Sequence, residues 1–398
     1  MKSKYELLAP VGNFPMLVAA VNAGADAIYF GLKDFSMRAN ARKFSLNDLP
    51  KIKEICNSSS RKPKIYLTLN TIIYNEEIPK LEKIIKKVKG QVNAIICWDM
   101  AVIQLCKKYK IPFHISTQAS VSNVESAQFY KKLGAERIVL ARELNLKQIK
   151  KISKIKGLEI ECFAHGAMCV AVSGRCFTSQ FLFNRSANRG ECLHPCRRSY
   201  EIKDLQEGYK LKLENNKVMS AKDLCTLPFI EKLKDAGIKV FKIEGRNRDP
   251  RYVDVVVRAY RKALDAKLTT KEIKKILAEL KKVYNKEFSS GFYLRLPTKD
   301  DFAKIEHSAA KEKKHFIGRI AHYFKNLNVA TIKLVSPIKL NEKICIIGKT
   351  TGVINSKIDS MHIKNKSVKK AIKGQEVGIK VPKYVRKNDE VYVIKEVE

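Results

Sequence analysis

Eight short apolar runs, separated by stretches of helical period along the first 250 residues, constrain this chain more than any other feature. They lie at Glu6 to Val11, Ala27 to Leu32, Lys64 to Leu69, Asn93 to Trp98, Pro112 to Thr117, Arg137 to Ala141, Glu159 to Ala164 and Val240 to Glu244. Between most of them apolar residues recur three and four apart, as in Phe14 to Ala23, Leu49 to Cys56, Ile78 to Val88, Val102 to Tyr109, Ala127 to Leu133 and Leu146 to Ile152, which is the period of an amphipathic helix. Strands alternating with helices pair in parallel, and eight such units predict an α/β fold closed as a TIM-like (β/α)8 barrel, which removes both sheet edges. The rival is an open doubly wound sheet. No Gly-x-Gly-x-x-Gly turn follows the first run, which weighs against the dinucleotide-binding form of that rival.

A barrel of this kind places its site at the carboxyl ends of the strands and in the loops after them. Those positions are polar here: Asn13, Arg38, Asn70, Asp99, Gln118, Arg142, Glu143, His165, Glu244 and Arg246. Singly, each reads as a loop residue that caps a helix, and for Asn13 and Asn145 that reading is preferred. Together they suit an anionic ligand that accepts and donates hydrogen bonds. Strand alternation puts Glu161, Phe163 and His165 on one face and Lys242, Glu244 and Arg246 on another, and these polar faces are expected to point into the barrel. The plainer alternatives are a satisfied core histidine for His165 and a simple ion pair for Glu244 with Arg246.

The rhythm breaks once. About 75 residues separate the seventh run from the eighth, whereas the other connections run from roughly 13 to 31. This insertion carries Cys169, Cys176, Cys192 and Cys196 within 28 residues, spaced by six, fifteen and three intervening residues. No secretory signal is recognisable at the amino terminus and no apolar stretch approaches the roughly eighteen residues of a membrane span, so a cytoplasmic location is expected. There thiols stay reduced, and a metal or iron–sulfur cluster fits them better than disulfides. Structural zinc sites use close cysteine pairs, which only Cys192 and Cys196 approach; the wider spacing suits a loop wrapped around a larger object such as a [4Fe–4S] cluster, although it is not the ferredoxin run. Arg175, Arg189, Arg197 and Arg198 are expected to lower the thiol pKa values. Cys225 is the candidate replacement for one of the four, while Cys56, Cys97, Cys106, Cys162 and Cys345 sit in apolar patterns and read as small buried residues.

With 78 Lys and Arg against 40 Asp and Glu, the formal charge is +38. Such a chain attracts polyanions, nucleic acid foremost; the bland alternative is a lysine-rich solvated surface.

The stretch Glu161-Cys162-Phe163-Ala164-His165-Gly166-Ala167-Met168-Cys169, with Ser173-Gly174-Arg175-Cys176, Arg185 to Cys192 and Pro195-Cys196-Arg197-Arg198, closely resembles the peptidase U32 family. Leu7 to Gly12, Gly24 to Gly31, Ala141 to Leu144 and Ser220 to Leu224 extend the resemblance over most of residues 5 to 250, with Thr178 a conservative departure. The resemblance implies either a collagenase-like protease or an oxygen-independent hydroxylase acting on transfer RNA at uridine C5, on ribosomal RNA or on a quinone precursor. It also implies a [4Fe–4S] cluster on Cys169, Cys176, Cys192 and Cys196, with Cys225 the candidate where relatives use a later cysteine, and a prephenate-like hydroxyl donor for the transfer-RNA members.

Beyond a lysine-rich helical stretch from Lys271 to Tyr284, short β-like runs follow at Ile317 to Tyr323, Val329 to Leu334, Lys343 to Ile347, Val377 to Val381 and Val391 to Ile394. They predict a small all-β barrel, which resembles the second-domain barrel of translation factors. The expected organisation is a barrel domain over residues 1–265 with its cysteine-rich loop at 166–225, a helical connector over 266–312 and the β-barrel over 313–398. The expected activity is hydroxylation of RNA by an iron–sulfur enzyme: His165, Glu143 and Glu244 are the proton-handling candidates, Asn70, Asp99, Gln118, Arg142 and Arg246 bind substrate, and Arg142 and Arg246 hold a small anionic co-substrate. The electron partner leaves no mark in the sequence. A peptidase is the alternative, without a His-Glu-x-x-His or Gly-x-Ser-x-Gly motif to support it; a third reading is a non-catalytic cluster-bearing or RNA-binding partner protein.

Overall fold

The computed structural model describes residues 4–32, 34–37, 44–198, 202–208, 210–211, 219–305 and 307–397. Arg38, expected on the rim, lies outside the described residues.

The eight runs form eight parallel strands: β1 Glu6–Pro10, β2 Ala27–Gly31, β3 Lys64–Thr68, β4 Ala94–Cys97, β5 Phe113–Ile115, β6 Arg137–Val139, β7 Glu159–Gly166 and β8 Val240–Ile243. Each pairs with the next, and β8 closes the ring by pairing with both β7 and β1. The helices between them follow from the apolar spacing: α1 Phe14–Asn22, α2 Leu49–Asn57, α3 Ile78–Val88, α4 Met100–Tyr109, α5 Val124–Lys132 and α6 Leu146–Ile152. Their starts are chemically marked. Asn13 accepts a hydrogen bond from the Met16 amide at 3.0 Å, Asn145 accepts one from Gln148 at 3.0 Å, and α1, α2 and α3 each carry a proline in the first turn, where a missing N–H costs nothing. The capping reading preferred for Asn13 and Asn145 is therefore the one the structure shows.

The helices bury their apolar sides against the outside of the barrel in one large core that includes Leu17, Ile52, Ile85, Val102, Ile149 and Val257. A smaller cluster inside the barrel joins Leu8, Tyr29, Tyr66, Ile96 and Val240. Below it, at the amino-terminal end, charged groups fill the space. Arg137, 1% exposed, bonds Glu6 at 2.7 Å and Glu159 at 2.6 Å and approaches Glu161 at 3.4 Å, while Lys242 bonds Glu161 at 2.8 Å.

One strand departs from simple alternation. Lys242 of β8 faces Phe163 of β7, but Ile243 faces His165, so an extra residue, Ala164, bulges between them. A bulge of this kind turns the following side chain to the opposite face. The loop after it folds back as an additional short strand, Asp223–Cys225, antiparallel to β7, which is followed in the same sheet by Phe288–Ser289.

After the short helix α7 Thr178–Phe183 in the cysteine loop, α8 Ile230–Asp235 and β8, the long helix α9 Pro250–Asp265 packs its apolar side on the barrel, and α10 Thr270–Leu280 follows. The stretch expected to be a helical connector is helical only in that part. From Lys281 onward the described residues run without a further α-helix and lie against the barrel, burying Asn285, Lys286 and Tyr293, because polar groups find partners there: the Lys286 amide donates to Asp223 Oδ2 at 3.2 Å and Tyr293 Oη to the Phe163 carbonyl at 2.7 Å.

The carboxyl-terminal part is all-β, an eight-stranded antiparallel sheet built around Glu312–Phe324, Val329–Leu334, Lys343–Gly348, Glu376–Lys380 and Glu390–Glu396. Gly352–Lys357 and Lys366–Ser367 end the sheet, and no pairing joins those ends among the described residues. The region has its own apolar core, in which Ile332, Ile346, Val377, Ile379 and Val391 meet. It sits against α1 and α9: Arg251 pairs with Glu312, Lys314 with Asp249, and a Cβ on Gly352, whose φ is +74°, would stand 2.8 Å from Val18. No helix of the described residues is long and apolar enough to cross a membrane.

Candidate functional site

At the carboxyl end of the barrel the strand ends surround a cavity whose space, continuous with open solvent, is about 590 Å³. Each polar group there follows a strand: Thr68 ends β3 and Asn70 comes just after it, Ser116 and Gln118 follow β5, Arg142 follows β6, and Glu244 and Arg246 follow β8. Arg246 is held through Nη1, which donates to Ser36 Oγ at 2.8 Å and Thr68 Oγ1 at 2.9 Å, and through Nη2, which donates to the Met37 carbonyl at 3.2 Å. Arg142 lies flat over the Phe163 ring, 3.8 Å from its centroid, and donates to the Ala167 carbonyl at 2.8 Å; its buried Nε has no hydrogen-bond partner among the described residues. Asn70 Nδ2 reaches Ser116 Oγ at 3.4 Å, and that hydroxyl donates to Gln118 Oε1. With Lys242 at the floor, three cationic side chains and one carboxylate, Glu244, line the described cavity.

Five expected site residues thus meet: Asn70, Gln118, Arg142, Glu244 and Arg246. Asp99 does not join them. Its carboxylate caps α4 through the Ala101 amide at 2.9 Å and clasps the Ile73 amide at 3.0 Å, the local role that Asp after a strand commonly takes. Glu143 lies in an exposed turn outside the cavity lining.

His165 is the main correction. The Ala164 bulge turns it away from the cavity toward α9, where its ring packs 5.5 Å from both Tyr260 and Phe288, and Nδ1 lies 3.4 Å from Tyr260 Oη. Burial, reinforced by the Arg248 charge, pushes its pKa down to about 3, so the ring is neutral at physiological pH. This is the satisfied core histidine of the plainer alternative. Tyr29, Thr68, Ser116 and Lys242 line the cavity without having been singled out as site residues. Lys242 was legible, since it shares strand parity with Glu244 and Arg246; the others carried no signal beyond their place at strand ends.

The cysteine loop leaves the barrel at Gly166, whose φ of +108° and close approach to the Glu244 carbonyl, 2.6 Å from a notional Cβ, exclude other residues without displacement. It returns over the mouth. Gly174, at φ +76°, stands so near Gln118 that a Cβ would lie 2.6 Å from its Cγ, and Arg189 ties the loop's far side to Glu77 at 2.9 Å. Cys169 lines the cavity itself. Cys196 lies within electrostatic range of the other three loop thiols: its pKa is raised, chiefly by burial, with Arg197 opposing and Cys169, Cys192 and Cys176 adding. Burial therefore outweighs the arginine for Cys196, contrary to the expected lowering, and Arg189 is engaged with Glu77 rather than with a thiol. The His194 amide donates to Cys192 Sγ at 3.4 Å, the kind of contact that tunes a thiolate ligand. All ten cysteines are free, and no three described His, Cys, Asp or Glu side chains are grouped closely enough for one metal ion. Four cysteine thiols on one loop are the donor chemistry an iron–sulfur cluster would need. Cys225 stands apart. It pairs across the sheet with His165, sits under the Tyr260 hydroxyl at 3.8 Å, and burial pushes its thiol up to about 11.

Fold and site together define a (β/α)8-barrel protein whose mouth carries more cationic than anionic side chains and is roofed by a four-thiol loop. The model of peptidase family U32 matches residues 12–302, and the chain belongs to that family. It is 41% identical to an uncharacterized protease of Methanocaldococcus jannaschii, over 98% of each chain, and 40% identical to a collagenase of Porphyromonas gingivalis, over 98% of this chain and 97% of that one. It is 34% identical to tRNA hydroxylation protein P1 of Bacillus subtilis, over 87% of this chain and 84% of the other. Its relatives thus include both proteases and RNA-hydroxylation proteins.

Proposed function

We propose that this chain is an iron–sulfur enzyme that hydroxylates a base in RNA, with C5 of a uridine in transfer RNA as the foremost target. The observation that carries the reading is the placement of the four-thiol loop over a cavity whose charged lining groups are mostly cationic, with Cys169 belonging to both. The named activity of the Bacillus subtilis relative supports it. Cys169, Cys176, Cys192 and Cys196 would hold a [4Fe–4S] cluster, which supplies one-electron chemistry when bound. Arg142 and Arg246 hold a small carboxylate co-substrate, prephenate-like in carrying a hydroxyl group; Asn70 and Gln118 orient it or the base through hydrogen bonds. Exchanging the C5 hydrogen for the co-substrate's hydroxyl, base–H plus R–OH giving base–OH plus R–H, balances without an outside oxidant: the C5–H and R–O bonds break, the C5–O and R–H bonds form, and Glu244 is the carboxylate placed to carry the proton. His165 and Glu143, expected as proton carriers, have no part in this arrangement.

A peptidase reading is favoured by the names of two relatives. Against it, no described histidine lines the cavity and Ser116 is engaged with Gln118, so no described nucleophile there has an adjacent imidazole base among the described residues. The test is mass spectrometry of RNA nucleosides from a deletion strain. Loss of a hydroxylated pyrimidine, restored by the wild-type chain and not by Cys169→Ala, is expected; an unchanged nucleoside profile together with collagen hydrolysis that survives Cys169→Ala would overturn the proposal.

A further inference from the structure

The cysteine loop carries a second feature besides its thiols. Large apolar side chains stand exposed along it at Val170, Val172, Phe177, Phe181, Leu182 and Leu193. Exposed apolar residues scattered singly are ordinary, whereas a group of them on one short segment marks a contact surface. Phe177 is 65% exposed and Phe181 85%. The loop is folded to present them. Ser179, buried between them in the chain, accepts the Leu193 amide on its Oγ at 2.8 Å, the Cys176 amide donates to Asn188 Oδ1 at 2.9 Å, and the Phe181 amide donates to the Phe177 carbonyl at 3.0 Å. The inner side of α7 is thereby pinned while its start and its outer side carry the two rings. They meet edge to face, with centroids 6.5 Å apart and planes at 66°, rather than stacked on each other.

The geometry points to Phe177 and Phe181 as a stacking platform for unpaired bases of the RNA that flank the target nucleotide. The inference rests on the RNA reading above and deepens it. Continuity with the mouth selects this occupant. Cys169, Ser173 and Gly174 of the same loop line the cavity, and Phe177 follows Gly174 by three residues, about 11 Å of chain at most. A strand that delivers a base into the cavity therefore lies beside the rings. That base has left its stack, and its neighbours have each lost a stacking partner. Flat aromatic side chains replace such partners for any base, because every base has a π-face. The formal charge of +38 favours a polyanion over an apolar protein surface as the arriving partner. Aliphatic side chains would serve a protein contact as well as rings do, whereas stacking needs the flat face, and substitution can read that difference.

The experiment measures fluorescence anisotropy of two labelled RNAs, a transfer-RNA transcript and a fully paired duplex, with the anaerobically purified whole chain between about 50 and 200 mM salt. Phe177→Leu combined with Phe181→Leu keeps apolar surface and removes the flat faces. It is expected to weaken transfer-RNA binding about tenfold, with the slope of log K against log salt unchanged and duplex binding within about twofold of wild type. Phe177→Trp with Phe181→Trp is expected to bind transfer RNA at least as tightly as wild type, and Phe129→Leu, at an exposed ring of α5, within about twofold of it. Wild-type affinity in the leucine variant overturns the inference, and assigns the rings to a protein partner if that variant also fails to restore the deletion strain. A loss that is equal for the duplex, or that comes with a shallower salt slope, overturns it as well, since phosphates rather than bases would then lie on the rings. Phe181→Leu alone carries the test if the double variant unfolds. Leucine-sensitive binding alongside an unchanged nucleoside profile in the deletion strain would support the platform while removing the hydroxylation reading, so the two fail separately.

Discussion

The two ends of the barrel both hold buried charge, and they hold it differently. At the amino-terminal end Arg137, Lys242 and Lys64 close on Glu6, Glu159 and Glu161 in ion pairs, and the Arg137 charge, against the raising effect of burial, brings the Glu6 carboxyl below its ordinary range. At the mouth Arg142 and Arg246 donate to carbonyls and hydroxyls, and cationic side chains outnumber the single carboxylate in the lining. The balanced end is a plug; the unbalanced end is prepared for an anion that arrives from outside. The contrast separates charge kept for the fold from charge kept for a ligand.

Several substitutions test that contrast. Cys169→Ala is expected to abolish hydroxylation and lower bound iron and sulfide in anaerobic preparations, with little change in thermal unfolding; full iron content in the variant would remove Cys169 from the ligand set. Glu161→Ala leaves Arg137 and Lys242 without their shared carboxylate, and by the usual cost of breaking a buried pair should destabilise the protein by about 3–5 kcal/mol in denaturant titration. Arg142→Met should leave stability within about 1 kcal/mol and lower turnover by about 10²- to 10³-fold, the scale of losing one preorganised electrostatic contact; a large stability loss with normal turnover would make the mouth a second plug.

A pH titration gives a smaller effect with a definite sign. His165 is pushed down to about 3 and His114 well below its usual value, in both cases chiefly by burial. The unfolded chain protonates these imidazoles below about 6.5 while the native chain refuses the proton. Their contribution is full above that pH and declines as the pH falls from about 6.5 toward 3; His165→Gln should flatten that decline in urea titrations at pH 7, 6 and 5. The smallest expected effect is Tyr260→Phe, which removes a hydroxyl bonded to the Ala164 carbonyl at 2.8 Å and should cost about 1 kcal/mol.

Most of the barrel was legible because periods of two and 3.6 are written directly into the order of apolar residues. Every expected strand of the first 250 residues lies where its run lies, and α3 and α6 match their stretches end to end. Half of the rim was legible for the same reason: Asn70, Gln118, Arg142, Glu244 and Arg246 follow their strands into the cavity. The failures are local. Asp99 and Glu143 occupy rim positions by sequence, yet one is engaged by two backbone amides and the other sits in an exposed turn. His165 obeys alternation until Ala164, and a single extra residue reverses its face.

By itself, then, the order of residues determined a closed parallel barrel, an all-β second region and a thiol-rich excursion at one strand end, because burial of apolar surface at a regular period leaves few other solutions. Tertiary packing decided which polar side chains turn inward, that Cys225 pairs beside His165 under Tyr260, and that one end of the barrel balances its charges while the other does not. Those outcomes depend on strand register and on loops folding back over the rim, which place residues far apart in the chain within a few ångströms and which no local pattern encodes.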